Sequence, residues 1–239
     1  MELLSNILNW VIIVVSVLVV LSILRLFFRI NSKEESIIKS TFKSSLIFIL
    51  VGYLLWSLAE IIWGFVEYVG ENPAFGVVEY FYILGYFFVF GGFMYLFYFI
   101  CSNKDKMRTC FLKGLFLIII LGFATFYLNN FFNSSLLADL SGFNLFTSHF
   151  YPVASMVVLI VSFSLYRLFR EEKVISVFFI LLFLSALFMY LGDVLYSYYI
   201  LRDVYGSIGV LSDCSYIIEY LLAGYSFYYL ADKMKGGKK

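Results

Sequence analysis

Seven apolar segments, each long enough to cross a lipid bilayer, constrain this chain more than any other feature of its sequence. A membrane-spanning helix needs about 20 predominantly apolar residues to cross about 30 Å of hydrocarbon. Such segments run from Leu8 to Phe28, Ser44 to Val69, Gly76 to Ile100, Thr109 to Leu128, His149 to Phe169, Val174 to Ile200 and Ser207 to Ala231. We therefore expect an all-α integral membrane protein with seven transmembrane helices, in a single domain of residues 1–239.

Composition agrees with lipid as the solvent. The chain is 63% hydrophobic and 14% charged, whereas soluble domains are about 45–50% apolar and about 25% charged. The basic residues then predict the orientation, because cytoplasmic loops are enriched in Lys and Arg. In the seven-helix topology, 16 of the 17 basic residues lie on the same side of the membrane as the carboxyl terminus, and only Arg202 lies on the opposite side. We expect an outside amino terminus, a cytoplasmic carboxyl terminus and a multi-pass location in the cell membrane.

Two parts of the chain resemble each other, which predicts an internal repeat. In the second and sixth segments, Leu58–Gly64 aligns with Leu191–Ser197. In the third and seventh, an acid and two tyrosines recur at the same spacing, namely Glu79, Tyr82 and Tyr86 against Asp213, Tyr216 and Tyr220. An offset of four helices preserves orientation. The sequence thus predicts a parallel repeat of helices 1–3 (about 8–100) and 5–7 (about 149–231), with helix 4 (about 109–128) as connector.

Acidic residues within the predicted helices are the main functional candidates, because an ionisable group inside a membrane is costly. These acids are Glu60, Glu67, Glu79, Asp193, Asp213 and Glu219. At 1.5 Å per residue, four of them reach a similar depth near the outer surface from four different helices: Glu60, Glu79, Asp193 and Asp213. Glu219 lies deeper and about 240° around its helix from Asp213. We expect Glu219 to face a different neighbour.

Aromatic residues accompany these four acids on the same helix faces, since residues three, four and seven apart are neighbours on a helix. The predicted ligand-binding residues are Trp56, Glu60, Trp63, Glu79, Tyr82, Tyr86, Asp193, Tyr196, Asp213, Tyr216 and Tyr220. A lipid-facing carboxylate would be expensive, so we expect these faces to point into the bundle. The result would be an outward-facing cavity lined by carboxylates and aromatic rings.

Three interpretations of this acidic and aromatic set are open. Carboxylates and aromatic faces together suit a small ligand or a cation, including organic ammonium groups. The same acids, used in turn, suit a small transporter or a proton- or cation-coupled carrier. Alternatively, the acids are protonated and inert, and they and the tyrosine hydroxyls hydrogen-bond one another and only hold the helices together. We favour a receptor-like or sensor-like protein that binds a small ligand or cation, with the carrier as the alternative.

Enzyme chemistry has little support in the residue types present. His149 is the only histidine and cannot supply a zinc site, and the three cysteines lack the spacing of metal ligands. We expect no catalytic residue, no metal site, no cofactor and no nucleic-acid partner. The expected partners are the lipid bilayer, the small ligand or cation, and a cytoplasmic signalling protein at the basic loops.

The acid-and-aromatic segments also resemble a known kind of module. Trp56–Gly64, Glu79–Tyr86, Gly192–Asp193 and Leu211–Tyr220 look like helices of the seven-helix membrane input modules that precede histidine kinase or diguanylate cyclase domains in prokaryotes. The resemblance implies a prokaryotic sensor, which we expect to stand alone because neither domain follows Lys239. The three-one-three plan is similar to that of microbial rhodopsins and SWEET-type transporters. However, the last helix lacks the lysine that retinal requires, and paired hinge prolines are absent.

Overall fold

The computed structural model describes residues 2–30, 37–69, 76–102, 116, 119–128, 142–202 and 205–234. Its helices are α1 (Glu2–Ile30), α2 (Ile37–Tyr68), α3 (Val78–Ser102), α4 (Ile119–Leu128), α5 (Gly142–Phe169), α6 (Lys173–Ile200) and α7 (Gly206–Lys233). None of the described residues lies in a strand. The all-α prediction is therefore confirmed for the described part of the chain.

Within the described part of the chain, five helices are long and apolar enough to cross a membrane, namely α1, α2, α3, α5 and α6. α7 is as long as α6, but its buried face carries polar side chains, including Ser212, Asp213, Ser215 and Glu219. α4 lies beside α5, where the rings of Phe126 and His149 are 4.7 Å apart. The earlier part of the predicted connector, residues 109–115, lies outside the described residues. The architecture is that of an all-α membrane protein, and the count of seven spans stays a prediction.

The six long helices form a closed circle. α1 packs against α2 and α7, α2 against α3, α3 against α5, α5 against α6, and α6 against α7. Short links such as residues 170–172 turn the chain back on itself, so sequence neighbours run antiparallel. We call α1–α3 the first half and α5–α7 the second half. Each half meets the other twice, at α1 with α7 and at α3 with α5.

Three helices begin about two turns earlier than the hydropathy pattern predicts, at Glu2, Ile37 and Gly142 instead of Leu8, Ser44 and His149. Hydropathy marks the part of a helix that lies in hydrocarbon, whereas the backbone hydrogen bonds continue beyond it. In α5 the added turns are stabilised locally. The Ser148 hydroxyl donates to the carbonyl of Asn144 at 2.8 Å, and Phe143 stacks on Tyr80 of α3 with centroids 4.8 Å apart.

Glycines allow α2 and α3 to approach each other closely. A Cβ atom added at Gly52 would lie 2.8 Å from the carbonyl oxygen of Gly85, and one at Gly92 would lie 2.9 Å from the carbonyl oxygen of Ser45. The Ser45 hydroxyl donates to the carbonyl of Gly92 at 2.7 Å across the same interface. Because the obstructing atoms belong to the backbone, a change of rotamer would not relieve the overlap.

We expect Gly92→Leu to destabilise the protein by about 1–3 kcal/mol, the usual cost of overpacking a tight contact. The adjacent Gly91→Leu is the matched control, since a Cβ atom there has its nearest neighbour at 3.9 Å. Thermal unfolding in detergent, followed by circular dichroism, measures both. Equal melting temperatures for the two variants would contradict the close approach at Gly92.

Candidate functional site

A cavity of about 310 Å³ lies inside the circle of helices, toward the end where α1, α3, α5 and α7 begin and α2 and α6 end. Ligand pockets typically occupy about 300–1,000 Å³, so this volume suits a small molecule. All six long helices contribute to its wall. Six lining residues are acids: Glu60, Glu67, Glu79, Asp193, Asp213 and Glu219. None of the described lining residues is Lys, Arg or His.

The structure brings together every residue that the sequence predicted to bind a ligand. All of them line this one cavity: Trp56, Glu60, Trp63, Glu79, Tyr82, Tyr86, Asp193, Tyr196, Asp213, Tyr216 and Tyr220. They come from α2, α3, α6 and α7, whose side chains meet because the circle of helices closes around them. Their role in binding a ligand stays a prediction.

Two tyrosines join the halves through reciprocal hydrogen bonds. Tyr220 of α7 donates to Glu60 of α2 at 2.8 Å, and Tyr86 of α3 donates to Asp193 of α6 at 2.5 Å. In the predicted repeat, Tyr86 corresponds to Tyr220 and Glu60 corresponds to Asp193. The third helix of each half therefore binds the middle helix of the other half, as a two-fold relation between them would require.

Each of these two acids also has a tyrosine from its own half. Tyr216 donates to the second carboxylate oxygen of Asp193 at 2.8 Å. The Tyr82 hydroxyl lies within hydrogen-bonding reach of Glu60. A tyrosine hydroxyl has one proton to donate, and an ionised carboxylate only accepts. The tyrosines therefore satisfy these carboxylates without adding positive charge to the cavity.

Glu79 receives its hydrogen bonds from the second half. Tyr196 of α6 donates to Oε1 at 3.2 Å, and Tyr151 of α5 donates to Oε2. Tyr196 also meets Trp63 edge-on, with ring centroids 6.0 Å apart. Tyr151 was not among the predicted site residues, because one tyrosine beside Pro152 carries no acid or repeat pattern to mark it.

Glu67 receives its hydrogen bonds from α1. Ser5 donates to Oε1 at 3.1 Å, and Asn9 donates to Oε2. The sequence prediction assigned no site residue to the first helix. Ser5 and Asn9 are four residues apart and so share one helix face, which was the available signal. The first helix thereby forms the wall of the acidic cavity between α2 and α7.

The two acids of α7 have different neighbours, as expected, yet line the same cavity. Glu219 accepts hydrogen bonds from Tyr53 of α2 at 3.1 Å and from Ser185 of α6 at 3.4 Å. Asp213 accepts one from Tyr205, which lies just before α7. Burial, followed by this hydrogen bond, raises the pKa of Tyr205 above the usual value of a tyrosine. The Tyr205 hydroxyl therefore keeps its proton and remains a donor.

Trp56 forms much of the inner wall of the cavity. Its ring meets Tyr53 at 5.0 Å and Tyr86 at 4.9 Å between centroids, both in edge-on geometry. Its indole Nε1 donates to the backbone carbonyl of Tyr82 at 3.0 Å. These contacts fix the indole, so that an aromatic surface lies among the carboxylates. The lining residues outside the predicted ligand-binding set are Ser5, Asn9, Ile12, Glu67, Tyr151, Met189, Tyr199, Ile200, Tyr205 and Glu219, of which Glu67 and Glu219 were already candidates as acids within helices.

The fold and the cavity together define the class: an all-α membrane protein with an acidic and aromatic pocket between its helices. Among the described residues, no three His, Cys, Asp or Glu side chains are grouped so that they would hold a metal ion. Comparison with known proteins found no matching family model, no matching curated protein and no matching solved structure. The chemistry of the cavity is therefore the basis for a functional proposal.

Proposed function

We propose that the protein is a receptor-like or sensor-like membrane protein that binds a small cationic ligand in this cavity. The observation that carries the proposal is a lining with six acids and no basic side chain among its described residues. Burying several negative charges without a counter-charge is unfavourable, so the cavity gains most from a positively charged occupant. The aromatic walls add cation–π attraction for an organic ammonium group.

The positions of the basic residues support an outward-facing cavity. Arg29 and Arg167 lie in the last turns of α1 and α5, Lys43 in the first part of α2, Lys173 at the start of α6 and Lys233 at the end of α7. These are the helix ends opposite to the cavity. Basic residues accumulate on the cytoplasmic side, so the cavity would open to the outside.

Packing beneath the cavity favours a receptor over a carrier. Phe97, Phe178, Phe179 and Phe227 are almost completely buried toward the basic end of the bundle. Phe178 contacts Phe179 and Phe227, with ring centroids 4.9 Å and 5.5 Å apart. Because the bundle is filled with side chains at its basic end, the cavity would open only at the other end, as in a receptor site. Ligand binding would then shift helices against each other, and a cytoplasmic partner would detect the shift at the basic loops.

One observation favours the alternative, a small cation-coupled carrier. A second cavity of about 10 Å³ adjoins the first and shares Trp56, Met189 and Glu219 with it. Its other walls include Phe93 and Leu182, which lie deeper in the bundle. A void of this size holds about one water molecule. A carrier would have to widen this passage past Glu219 to move its substrate inward.

Binding and flux experiments test the proposal. Protein in lipid nanodiscs is titrated with sodium, potassium, tetramethylammonium and butylammonium chlorides, and binding is followed by calorimetry and thermal unfolding. We expect an organic cation to bind, and Glu60→Gln or Asp193→Asn to weaken it about tenfold or more, since each change removes one of the negative charges of the cavity wall that attract a cation. Asp232→Asn, at the opposite end of α7, is the matched control.

Two outcomes decide between the interpretations. Binding without uptake into proteoliposomes supports the receptor, whereas uptake that disappears in Glu60→Gln supports the carrier. If none of the four cations binds, or if the neutralised variants bind as well as the wild type, the cavity is only a structural contact between helices. The proposed function would then be wrong.

A further inference from the structure

The acids in the cavity wall differ in how completely other side chains occupy their oxygens. Three of them, Glu67, Glu79 and Asp193, accept a hydrogen bond at each carboxylate oxygen, and all of these donors belong to other helices. Glu60 accepts one at Oε1 from Tyr220 and has the Tyr82 hydroxyl within reach. A ligand could bind the first three carboxylates only at an oxygen that already accepts a hydrogen bond. Their hydrogen bonds instead hold the helices around the cavity.

Glu219 and Asp213 have one unoccupied oxygen each. Both hydrogen bonds to Glu219 go to Oε1, and the hydrogen bond from Tyr205 goes to Oδ2 of Asp213. Oε2 and Oδ1 accept no hydrogen bond from the described residues. The two side chains are only 2% and 7% exposed, and both line the cavity. Neither oxygen is among the buried side-chain atoms that lack a partner, so both are accessible from the cavity, where a donor of the ligand can reach them.

These two oxygens lie at different depths. Asp213 and Glu219 are six residues apart on α7, which separates their backbones by about 9 Å along the helix axis. Between these levels the wall includes the rings of Tyr216 and Tyr220 and the thioether of Met189. An occupant that reaches both carboxylates must therefore be elongated, with donors at its two ends and an apolar middle.

The deep acid, Glu219, has no counterpart in the first half of the repeat. Glu219 precedes Tyr220 as Gly85 precedes Tyr86, so the first half has no acid at this position. Trp56 occupies the space there, since a Cβ atom at Gly85 would collide with its indole. The corresponding residue of the second half is Met189, four residues before Asp193 as Trp56 is before Glu60. The deep end of the cavity, which we call its floor, is thus asymmetric: the first half contributes the aromatic ring of Trp56, and the second half contributes the carboxylate of Glu219.

We propose that the ligand is a linear aliphatic diamine, with one ammonium group on Glu219 at the floor and the other on Asp213 nearer the mouth. A primary ammonium has three N–H donors, and its hydrogen bonds to a carboxylate are charge-assisted. The methylene chain would lie against the aromatic and thioether surfaces. This assignment rests on the proposed function, because it specifies the ligand class of the same cavity.

A series of matched amines tests the assignment. Wild-type protein in nanodiscs is titrated by calorimetry with diamines from diaminopropane to diaminooctane and with the monoamine of each chain length. We expect diamines to bind about tenfold or more tightly than monoamines, the ratio that one additional charged hydrogen bond gives. Affinity should also pass through a maximum at the chain length that spans both carboxylates.

Variants of Asp213 and Glu219 test whether these two acids cause the preference for diamines over monoamines. Asp213→Asn should bring the ratio of diamine to monoamine affinity close to one, and Glu219→Gln should weaken both classes. Asp232→Asn is the control for a change of charge on α7. Similar affinities for diamines and monoamines in the wild type, or an unchanged ratio in Asp213→Asn, would overturn the diamine assignment. Binding of monoamines alone would leave the proposed cation site intact, whereas no binding by any amine or tetramethylammonium would contradict both.

Discussion

Replacing Trp56 by alanine is expected to lower the free energy of unfolding by about 3–5 kcal/mol, the usual cost of removing a large buried aromatic side chain. Trp56 is 3% exposed and contacts Tyr53 and Tyr86 with its ring. Its loss would leave a void between α2 and α3 and would remove the donor to the Tyr82 carbonyl. The cavity would also lose an aromatic wall, so cation binding should weaken in the same variant.

Trp10→Ala is the matched control for this change. The same indole is removed there, but from a position that is 64% exposed on the outer surface of α1. We expect a change within about 0.5 kcal/mol, as for surface substitutions away from special features. Denaturant titration in mixed micelles, followed by circular dichroism, compares the two. An equal loss in both variants would contradict the central position of Trp56 in the bundle.

The double substitution Tyr86→Phe with Tyr220→Phe is expected to cost about 2–6 kcal/mol. Each change removes one donor from a buried carboxylate, Asp193 or Glu60, and an unsatisfied buried group costs about 1–3 kcal/mol. The two single variants should lose similar amounts, because the two hydrogen bonds occupy corresponding positions in the halves. The same denaturant titration measures all three proteins.

A double-mutant cycle isolates the bond itself. Tyr86→Phe should matter less when Asp193 is already Asn, because the charged acceptor is gone. Tyr225→Phe, at an exposed position on α7, controls for the loss of a hydroxyl. If the reciprocal variants were as stable as the wild type, the bonds between the halves would not contribute to holding the bundle together. Strongly unequal losses would argue against a two-fold relation.

The hydrogen bonds also divide the acids between two of the interpretations that the sequence left open. Glu60, Glu67, Glu79 and Asp193 have the contacts expected of interhelical bonds, since tyrosine, serine and asparagine side chains of other helices donate to them. Asp213 and Glu219 have an oxygen each that no described side chain occupies. We infer that the first group shapes the cavity and that the second group meets the ligand. A single role for all six acids is therefore unnecessary.

The sequence alone determined the helical class and most of the cavity lining, for simple physical reasons. The thickness of the bilayer fixes the length of apolar segments, so α1, α2, α3, α5 and α6 were visible as long hydrophobic stretches. Helical periodicity places residues three and four apart on one face. An acid such as Glu60 in a membrane helix must avoid lipid, so its face had to point inward.

Only the tertiary structure decided which neighbours these faces meet. The crossed bonds of Tyr86 and Tyr220 depend on how the two halves close into a circle, and no local pattern encodes that distance. Hydropathy does not detect single polar contacts such as Asn9 with Glu67. Glu219 and Asp213 lie on different faces of α7. They line the same cavity because α7 packs between α1 and α6. Spacing along a helix sets direction, whereas packing between helices sets proximity.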